Sequence, residues 1–202
     1  MQGNNCCIIK STNKKVMGLR IIGGALKGKK LYSVRDMSIR PTADRLRESI
    51  FNILSQRVLD AVVLDLFAGT GALGIEALSR GAESVVFVDN RKGALSVLRR
   101  NIDSCMLDQK ANIVKWNIRQ NLNCIRSKKQ NFDLIFLDPP YDKNLIKSTL
   151  FNLDKSHSLK KGACIVVEHS LFEPIPTDFF AFDLLDQRKH GKTLVSFLNY
   201  VI

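Results

Sequence analysis

The chain has 202 residues, a hydrophobic content of 45% and a formal net charge of +12. This length suits one α/β domain with a small appendage. The sequence contains no long apolar run, so we expect no transmembrane helix and no signal peptide. The five cysteines include no CxxC pair, which excludes a disulfide framework or zinc site and predicts a cytoplasmic, metal-free protein.

Basic residues are concentrated at the amino terminus. Residues 1–40 contain nine Lys or Arg and one acid, so this fifth of the chain carries a net charge of +8. Such a block favours a polyanionic partner, most simply a nucleic acid. Residues 1–17 lack periodicity and are predicted to be a disordered tail, so the functional part of the block begins after them.

Residues 18–57 are predicted to form a basic β-ribbon and a helix ahead of a catalytic domain at residues 58–202. Segments 20–24 and 27–31 have the composition of two short strands around a glycine-rich turn, and the apolar spacing over 42–54 predicts a helix after Pro41. The basic residues of this region are the predicted RNA contacts: Arg20, Lys27, Lys29, Lys30, Arg45 and Arg47.

From residue 61 onwards, apolar runs alternate with amphipathic stretches. Strands are predicted at 62–67, 85–89, 111–115, 132–138 and 163–168, with helices at 72–80, 91–104, 118–125 and 144–153. This alternation is typical of βαβ units and therefore of a parallel sheet. Segments 179–188 and 193–200 are separated by four residues, which predicts an antiparallel hairpin and a mostly parallel sheet of seven strands.

A glycine-rich turn follows the first predicted strand. Gly69, Gly71 and Gly74 match the GxGxxG pattern, and Asp89 ends the next strand, where it could accept hydrogen bonds from two ribose hydroxyls. The pattern admits an NAD-dependent dehydrogenase or a methyltransferase that binds S-adenosylmethionine. Asp65 favours the second, because a carboxylate on the preceding strand would oppose a diphosphate but could hold an amino-acid moiety. The chain also lacks a second domain for a hydride-transfer substrate.

An acid, two prolines and an aromatic residue follow the fourth predicted strand. Pro139 and Pro140 lack N–H groups, so the strand must end there and Asp138 lies at the carboxyl edge of the sheet, where ligands bind. The Asp138 carboxylate, the Pro139 carbonyl and the Tyr141 ring are suited to hold a planar group that carries an amino substituent. These four residues are the predicted catalytic set.

Two further polar residues have competing interpretations. Asn117 could bind an adenine through its amide or could cap a helix, and the sequence favours neither. His169 could line the base pocket, although a structural hydrogen bond is favoured.

These motifs resemble those of class I S-adenosylmethionine-dependent methyltransferases and, more closely, the bacterial 16S ribosomal RNA guanine-N2 methyltransferases. The residues that carry the resemblance include 20–24, 27–31, 40–42, 64–74, 76–82 and Asp138-Pro139-Pro140-Tyr141, and the match extends over roughly residues 19–200. The chain departs from the family pattern in two places. Residues 1–17 have no counterpart in the family, and Asn117 stands where many relatives have Asp.

The resemblance implies a Rossmann-like fold, S-adenosylmethionine as cofactor, and 16S ribosomal RNA in the small ribosomal subunit as substrate. A monomer is the default expectation for the oligomeric state. It further implies a set of cofactor contacts: Asp65, Phe67, Ala68, Gly69, Thr70, Gly71, Asp89, Asn90, Asn117, Ile118, Arg40 and Thr42. The alternatives that remain are a DNA adenine-N6 methyltransferase, a protein glutamine methyltransferase and a catalytically inactive RNA-binding assembly factor.

Overall fold

The computed structural model describes residues 18–33, 41–126, 131–141, 143–176 and 180–202, with no side-chain description for residues 41–43. The predicted tail, residues 1–17, lies outside these ranges, and so does Arg40. The side chain of Thr42 is likewise outside the description. The cofactor contacts predicted for Arg40 and Thr42 therefore stay predictions.

The described residues contain one seven-stranded sheet in the order β3-β2-β1-β4-β5-β7-β6. Its strands are β1 Val62–Leu66, β2 Ser84–Asp89, β3 Ala111–Lys115, β4 Phe132–Leu137, β5 Leu159–Ser170, β6 Phe182–His190 and β7 Thr193–Tyr200. The first five run parallel and β7 is antiparallel to both β5 and β6. This arrangement confirms the predicted Rossmann-like sheet with a hairpin at its end.

The helices are α1 Pro41–Leu54, α2 Ala72–Ser79, α3 Lys92–Cys105, α4 Asn123–Arg126 and α5 Leu145–Ser156. The helix predicted over 118–125 is wrong, since only residues 123–125 of that range are helical, as part of α4. Asparagine side chains explain the difference. The Asn117 Oδ1 accepts from the Arg119 N–H at 3.3 Å and the Asn121 Oδ1 from the Asn123 N–H at 3.0 Å, and such local bonds compete with helical ones.

Each face of the sheet is covered by its own apolar layer. On one face α1 packs against the central strands, with the Phe51 ring 5.7 Å from the Phe136 ring. On the other face α5 covers β4 and β5 through residues such as Leu150. Strands that are buried on both sides need continuous apolar runs, which is what the sequence contains.

The amino-terminal segment of residues 18–33 packs on the first of these faces. Two short strands were predicted here, but the structure has a single antiparallel bridge between Arg20 and Lys30 around a turn. Backbone hydrogen bonds join the two halves of the segment, from the Ile21 N–H to the Lys29 carbonyl at 2.9 Å and from the Leu31 N–H to the Leu19 carbonyl at 2.8 Å. The segment is also attached to α2, where the buried Glu76 carboxylate accepts from the Ile22 N–H at 2.8 Å and from the Arg80 guanidinium at 2.8 Å. Because a short ribbon is marginal on its own, this docking contributes to its stability.

Candidate active site

A cleft of about 790 Å³ opens at the carboxyl edge of the parallel strands. Predicted site residues from four separate segments line it: Asp65, Phe67, Ala68, Gly69, Thr70, Asp89, Asn90, Asn117, Ile118, Asp138, Pro139, Pro140 and Tyr141. The volume suits a nucleoside-sized ligand. The topology explains the convergence, because β1 lies between β2 and β4 and all three strands end at this edge.

The glycine turn forms the floor of the cleft between β1 and α2. Gly71 adopts φ +80° and precedes α2 without lining the cleft itself. A Cβ at Gly71 would lie 2.3 Å from the Leu98 side chain, and one at Gly74 would lie 2.3 Å from the Phe87 ring. Phe67 also has a positive φ of 60°, a conformation that is costly for an aromatic residue. Packing thus fixes a backbone shape that leaves room above the turn for a ligand.

Asp65 lies at the base of this turn and is 2% exposed. Its carboxylate accepts from the Gly74 N–H at 3.0 Å, which ties β1 to the start of α2. Burial raises the pKa of Asp65 to about 7, the Gly74 hydrogen bond opposes this shift, and the negative charge of Asp89 adds to it. The carboxyl group is therefore neutral at mildly acidic pH and charged when the pH rises above neutrality.

Replacing Asp65 with asparagine should remove a pH-dependent loss of stability. The folded protein holds the Asp65 proton up to a pKa of about 7, whereas the unfolded chain releases it near 3.8. Stability supplied by this group therefore falls as the pH rises from about 4 to about 7. Asp65→Asn lacks this titration, so its unfolding free energy should gain roughly 1–3 kcal/mol on that of the native protein as the pH rises from 5 to about 7. Urea denaturation of both proteins from pH 5 to pH 8 measures this difference.

The matched control is Asp103→Asn on the exposed face of α3. This variant should follow the native protein at every pH, because the Asp103 side chain is exposed to solvent in the folded protein as it is in the unfolded chain. Parallel stability curves for Asp65→Asn and the native protein would contradict the assignment.

Asp89 connects the end of β2 to the glycine turn. One carboxylate oxygen accepts from the Gly69 N–H at 2.9 Å, and the other accepts from the Arg91 N–H at 2.9 Å. The Arg91 guanidinium adds bonds of 3.1 and 3.3 Å. Burial alone would raise the pKa of Asp89, but these bonds, led by the Arg91 side chain, hold it below its usual value. Asp89 is therefore a fixed anion on the wall of the cleft.

Asp138 and Glu168 form a pair of acids at the ends of adjacent strands. Leu137 of β4 pairs with Val167 of β5, so the following residues on both strands are neighbours. Asp138 is exposed to the open cleft, yet the surrounding walls displace most of the bulk water. This loss of solvation raises the pKa of Asp138, the neighbouring Glu168 and Asp65 charges raise it further, and Arg91 opposes them. Partial burial likewise raises the pKa of Glu168.

The Tyr141 ring lies beside this acid pair at the rim of the cleft. Its hydroxyl donates to the Glu168 carboxylate at 2.7 Å and lies 3.2 Å from the Thr193 hydroxyl on β7. Partial burial and the Glu168 charge raise the pKa of Tyr141, so the phenol stays protonated and remains a donor. The ring is still 42% exposed, which leaves it available to contact a ligand.

The wall of the cleft opposite Asp138 is formed by residues that follow the end of β3: Trp116, Ile118 and Arg119. Asn117 lies among them, with its Oδ1 already accepting from the Arg119 N–H. That local bond fits the capping interpretation of Asn117, while the position of Asn117 on the cleft wall fits the adenine interpretation. The apolar surfaces of Trp116 and Ile118 suit a flat aromatic ring.

The basic residues of the amino-terminal segment and α1 have unequal exposure. Lys27, Lys30 and Arg45 are exposed, and Lys29 is half-buried. The side chain of Arg47 is buried, and it donates to the Asp44 carboxylate at 2.8 Å and the Arg20 carbonyl at 2.7 Å. Arg47 therefore stabilises the attachment of the segment to α1, and we leave it out of the proposed RNA surface. Arg20 is about half exposed and pairs with Asp44.

His169 has the structural role that the sequence favoured. It is fully buried, and its Nδ1 lies 3.1 Å from the Ser170 carbonyl and 2.9 Å from the Glu173 carbonyl, while Nε2 lies 2.8 Å from the Ser196 hydroxyl. Two carbonyl oxygens require a proton on Nδ1, so Nε2 accepts from Ser196. His169 does not line the cleft.

Several residues of the cleft were not predicted as site residues: Ala72, Leu73, Arg91, Trp116, Arg119 and Glu168. Glu168 could have been found, because it ends a predicted parallel strand just as Asp138 does, and adjacent strand ends meet at one edge. No local pattern identified the others.

The fold and this cleft define a class I methyltransferase. The solved structure of Escherichia coli yhhF matches with a TM-score of 0.78 at 30% identity, covering 91% of this chain and 98% of that one. Thermus thermophilus protein TTHA0928 matches with a TM-score of 0.74 at 28% identity, covering 90% and 99%. This class takes its methyl group from S-adenosylmethionine, and the donor set fits that cofactor: a glycine turn with room above it, the Asp65 and Asp89 carboxylates and an apolar wall.

Sequence comparisons then give the family. The family model described as conserved hypothetical protein 95 matches residues 19–199. Ribosomal RNA small subunit methyltransferase D of Haemophilus influenzae is 35% identical over 163 residues, 79% of this chain and 82% of that protein. The Escherichia coli protein of the same name is 35% identical over 159 residues, 79% and 78%. The chain belongs to the family of these ribosomal RNA methyltransferases.

Proposed function

We propose that this protein transfers a methyl group from S-adenosylmethionine to the exocyclic N2 amino group of a guanine in 16S ribosomal RNA of the small ribosomal subunit. The observation that carries the proposal is the placement of Asp138, followed by Pro139, beside the glycine turn in one cleft. Two relatives at 35% identity are named ribosomal RNA small subunit methyltransferases, which supports the substrate.

The cofactor supplies a methyl group on a positively charged sulfur when it is bound. The Asp65 carboxylate, at the base of the turn, would hold its amino-acid moiety, and Asp89 would accept from the ribose hydroxyls. Phe67, Ala68, Gly69 and Thr70 form the floor, while Asn90, Asn117 and Ile118 line the side for the adenine. An acidic cleft favours a cationic ligand over a diphosphate, which also argues against NAD.

The Asp138 carboxylate and the Pro139 carbonyl are proposed to accept the two hydrogens of the guanine amino group. The nitrogen lone pair is delocalised into the ring, so the free amine is a weak nucleophile. Two acceptors favour a more tetrahedral nitrogen whose lone pair points at the methyl group, and the rate gain comes mainly from positioning and electrostatics. Asp138 or solvent takes the proton that the amine loses. Pro140 stiffens the acceptor, and the Tyr141 ring stacks on the base.

The N2 edge of guanine is covered in a paired, stacked helix, so the target must be unpaired or turned out of its stack. One chain supplies every residue of the proposed site, which is consistent with a monomer that needs no partner subunit. The exposed side chains of Lys27, Lys30 and Arg45 would contact phosphates of the RNA.

The proposal is tested by tritiated methyl transfer to four substrates in parallel: free 16S ribosomal RNA, small ribosomal subunits, double-stranded DNA and total protein. We expect label in ribosomal RNA or subunits, and nuclease digestion should release it as N2-methylguanosine. Label in DNA as N6-methyladenine or in protein glutamine would replace this proposal by the corresponding alternative. Binding of RNA without any transfer would favour the inactive assembly factor.

A further inference from the structure

The exposed ring of Phe172 stands next to the cleft on a rigid turn. Phe172 is 87% exposed and lies two residues after the end of β5, at the carboxyl edge. An exposed aromatic ring at this edge of the sheet is a candidate stacking surface for a nucleic-acid base.

Hydrogen bonds from the core fix this turn. The Phe172 N–H donates to the Ser170 hydroxyl at 3.2 Å, and the Glu173 N–H donates to the Ser170 carbonyl at 3.2 Å. The buried His169 ring donates to the Glu173 carbonyl, and the Glu173 carboxylate accepts from the Ile146 N–H at the start of α5. The backbone that carries the Phe172 ring is therefore fixed before any partner binds.

A basic hairpin tip lies beside the turn. Ser170 pairs with Thr193 across β5 and β7, and Thr193 pairs with His190 across β7 and β6, so the tip at residues 188–193 is at the same edge. Lys189 and Lys192 are exposed there. The tip also reaches the active site directly, because the Thr193 hydroxyl lies 3.2 Å from the Tyr141 hydroxyl.

Two acidic side chains near this tip, Asp186 and Glu173, already have partners within the protein. Asp186 pairs with Arg188 at 2.9 Å, and Glu173 accepts from the start of α5. The rim thus combines the exposed positive charges of Lys189 and Lys192 with the exposed ring of Phe172. Proteins that bind single-stranded nucleic acid use the same combination, in which cations follow the backbone and aromatic rings stack on bases.

We infer that the turn at residues 170–173 and the hairpin tip at residues 188–193 bind the single-stranded RNA next to the target guanine. Phe172 stacks on a neighbouring base, and Lys189 and Lys192 contact phosphates. The inference rests on the proposed function for the identity of the RNA and extends it by naming the surface that holds the strand on the far side of the cleft from the glycine turn.

The test measures binding of a fluorescein-labelled 20-nucleotide single-stranded RNA that contains guanine. Phe172→Ala should raise Kd about 10-fold, because stacking on an aromatic ring contributes that much or more per base. The control is Phe180→Ala, which removes an equally exposed ring, 96% exposed, at the opposite edge of the sheet before β6. Phe180→Ala should stay within 2-fold of the native protein.

The charge contacts are tested by salt dependence. The double variant Lys189→Glu with Lys192→Glu should make the negative slope of log K against log[salt] shallower by about 1 to 2. Each phosphate contact on a single strand contributes roughly 0.7 to the magnitude of this slope. The matched control reverses two exposed lysines at the amino edge, Lys110→Glu with Lys161→Glu, and should leave the slope near the native value.

Equal effects of Phe172→Ala and Phe180→Ala, or of the two double charge reversals, would overturn the inference. So would variants that bind naked RNA normally but lose activity only on ribosomal subunits, because the rim would then contact a ribosomal protein. Methyl transfer by the native protein is measured in the same samples. Absence of transfer to RNA would count against the proposed function alone, whereas the binding series decides the inference.

Discussion

Asp138→Ala should lower kcat for methyl transfer to RNA by about 10²- to 10³-fold and leave the Kd for S-adenosylhomocysteine within about 3-fold of the native value. Asp138 is proposed to accept a hydrogen of the reacting amine, an interaction that strengthens in the transition state. Loss of one preorganised partner of this kind costs about 10²–10³ in kcat. Single-turnover assays and calorimetry separate the two effects.

Asp138→Asn is the sharper variant because it keeps the size and shape of the side chain. Its amide can still accept one hydrogen bond, but the NH₂ group would oppose the amine, so we expect a comparably large loss. In the native protein, activity should rise with pH through the raised pKa of Asp138, since the carboxylate is the acceptor. Turnover by Asp138→Ala within a few-fold of native would refute the assigned role.

Asp89→Ala should weaken S-adenosylmethionine binding by about 10²- to 10³-fold. Asp89 is 3% exposed, and it fixes the glycine turn through the Gly69 N–H. The proposed ribose contacts add two hydrogen bonds to a charged acceptor, each worth roughly 1.5–3 kcal/mol. Their joint loss corresponds to about 3–4 kcal/mol. Calorimetric titration with S-adenosylhomocysteine measures the effect.

Arg91→Ala provides the contrast. The Arg91 guanidinium now occupies the Asp89 carboxylate, with side-chain bonds of 3.1 and 3.3 Å, and these compete with the ribose hydroxyls. Its removal should therefore leave cofactor affinity unchanged or improve it. Binding by Asp89→Ala within about 3-fold of native would remove Asp89 from the cofactor site, and a large loss in Arg91→Ala would show that Arg91, not Asp89, makes the main contact.

Local sequence patterns predicted the structure best where the backbone geometry of a few neighbouring residues sets the end of a strand. The apolar run before Asp138 and the two prolines after it predicted a buried strand that ends at the ligand edge, and β4 ends at Leu137. The helix predicted over 118–125 failed because asparagine side chains bond to nearby N–H groups, which apolar spacing does not record. The predicted ribbon is shorter than expected, with one bridge between Arg20 and Lys30, and its attachment to α2 through Glu76 was not visible in local patterns.

The sequence by itself determined the succession of strands and helices along the chain. It also determined that the glycine turn and Asp138 lie at the carboxyl edge of the sheet, because periodicity and proline geometry act over a few neighbouring residues. Only the tertiary structure decided that Glu168 accepts from Tyr141 27 positions away, that Arg47 donates to the Arg20 carbonyl, and that Asp89 accepts from the Gly69 N–H. Burial, charge pairing and shifted pKa values depend on which segments meet in space, and that is set by packing of the whole sheet.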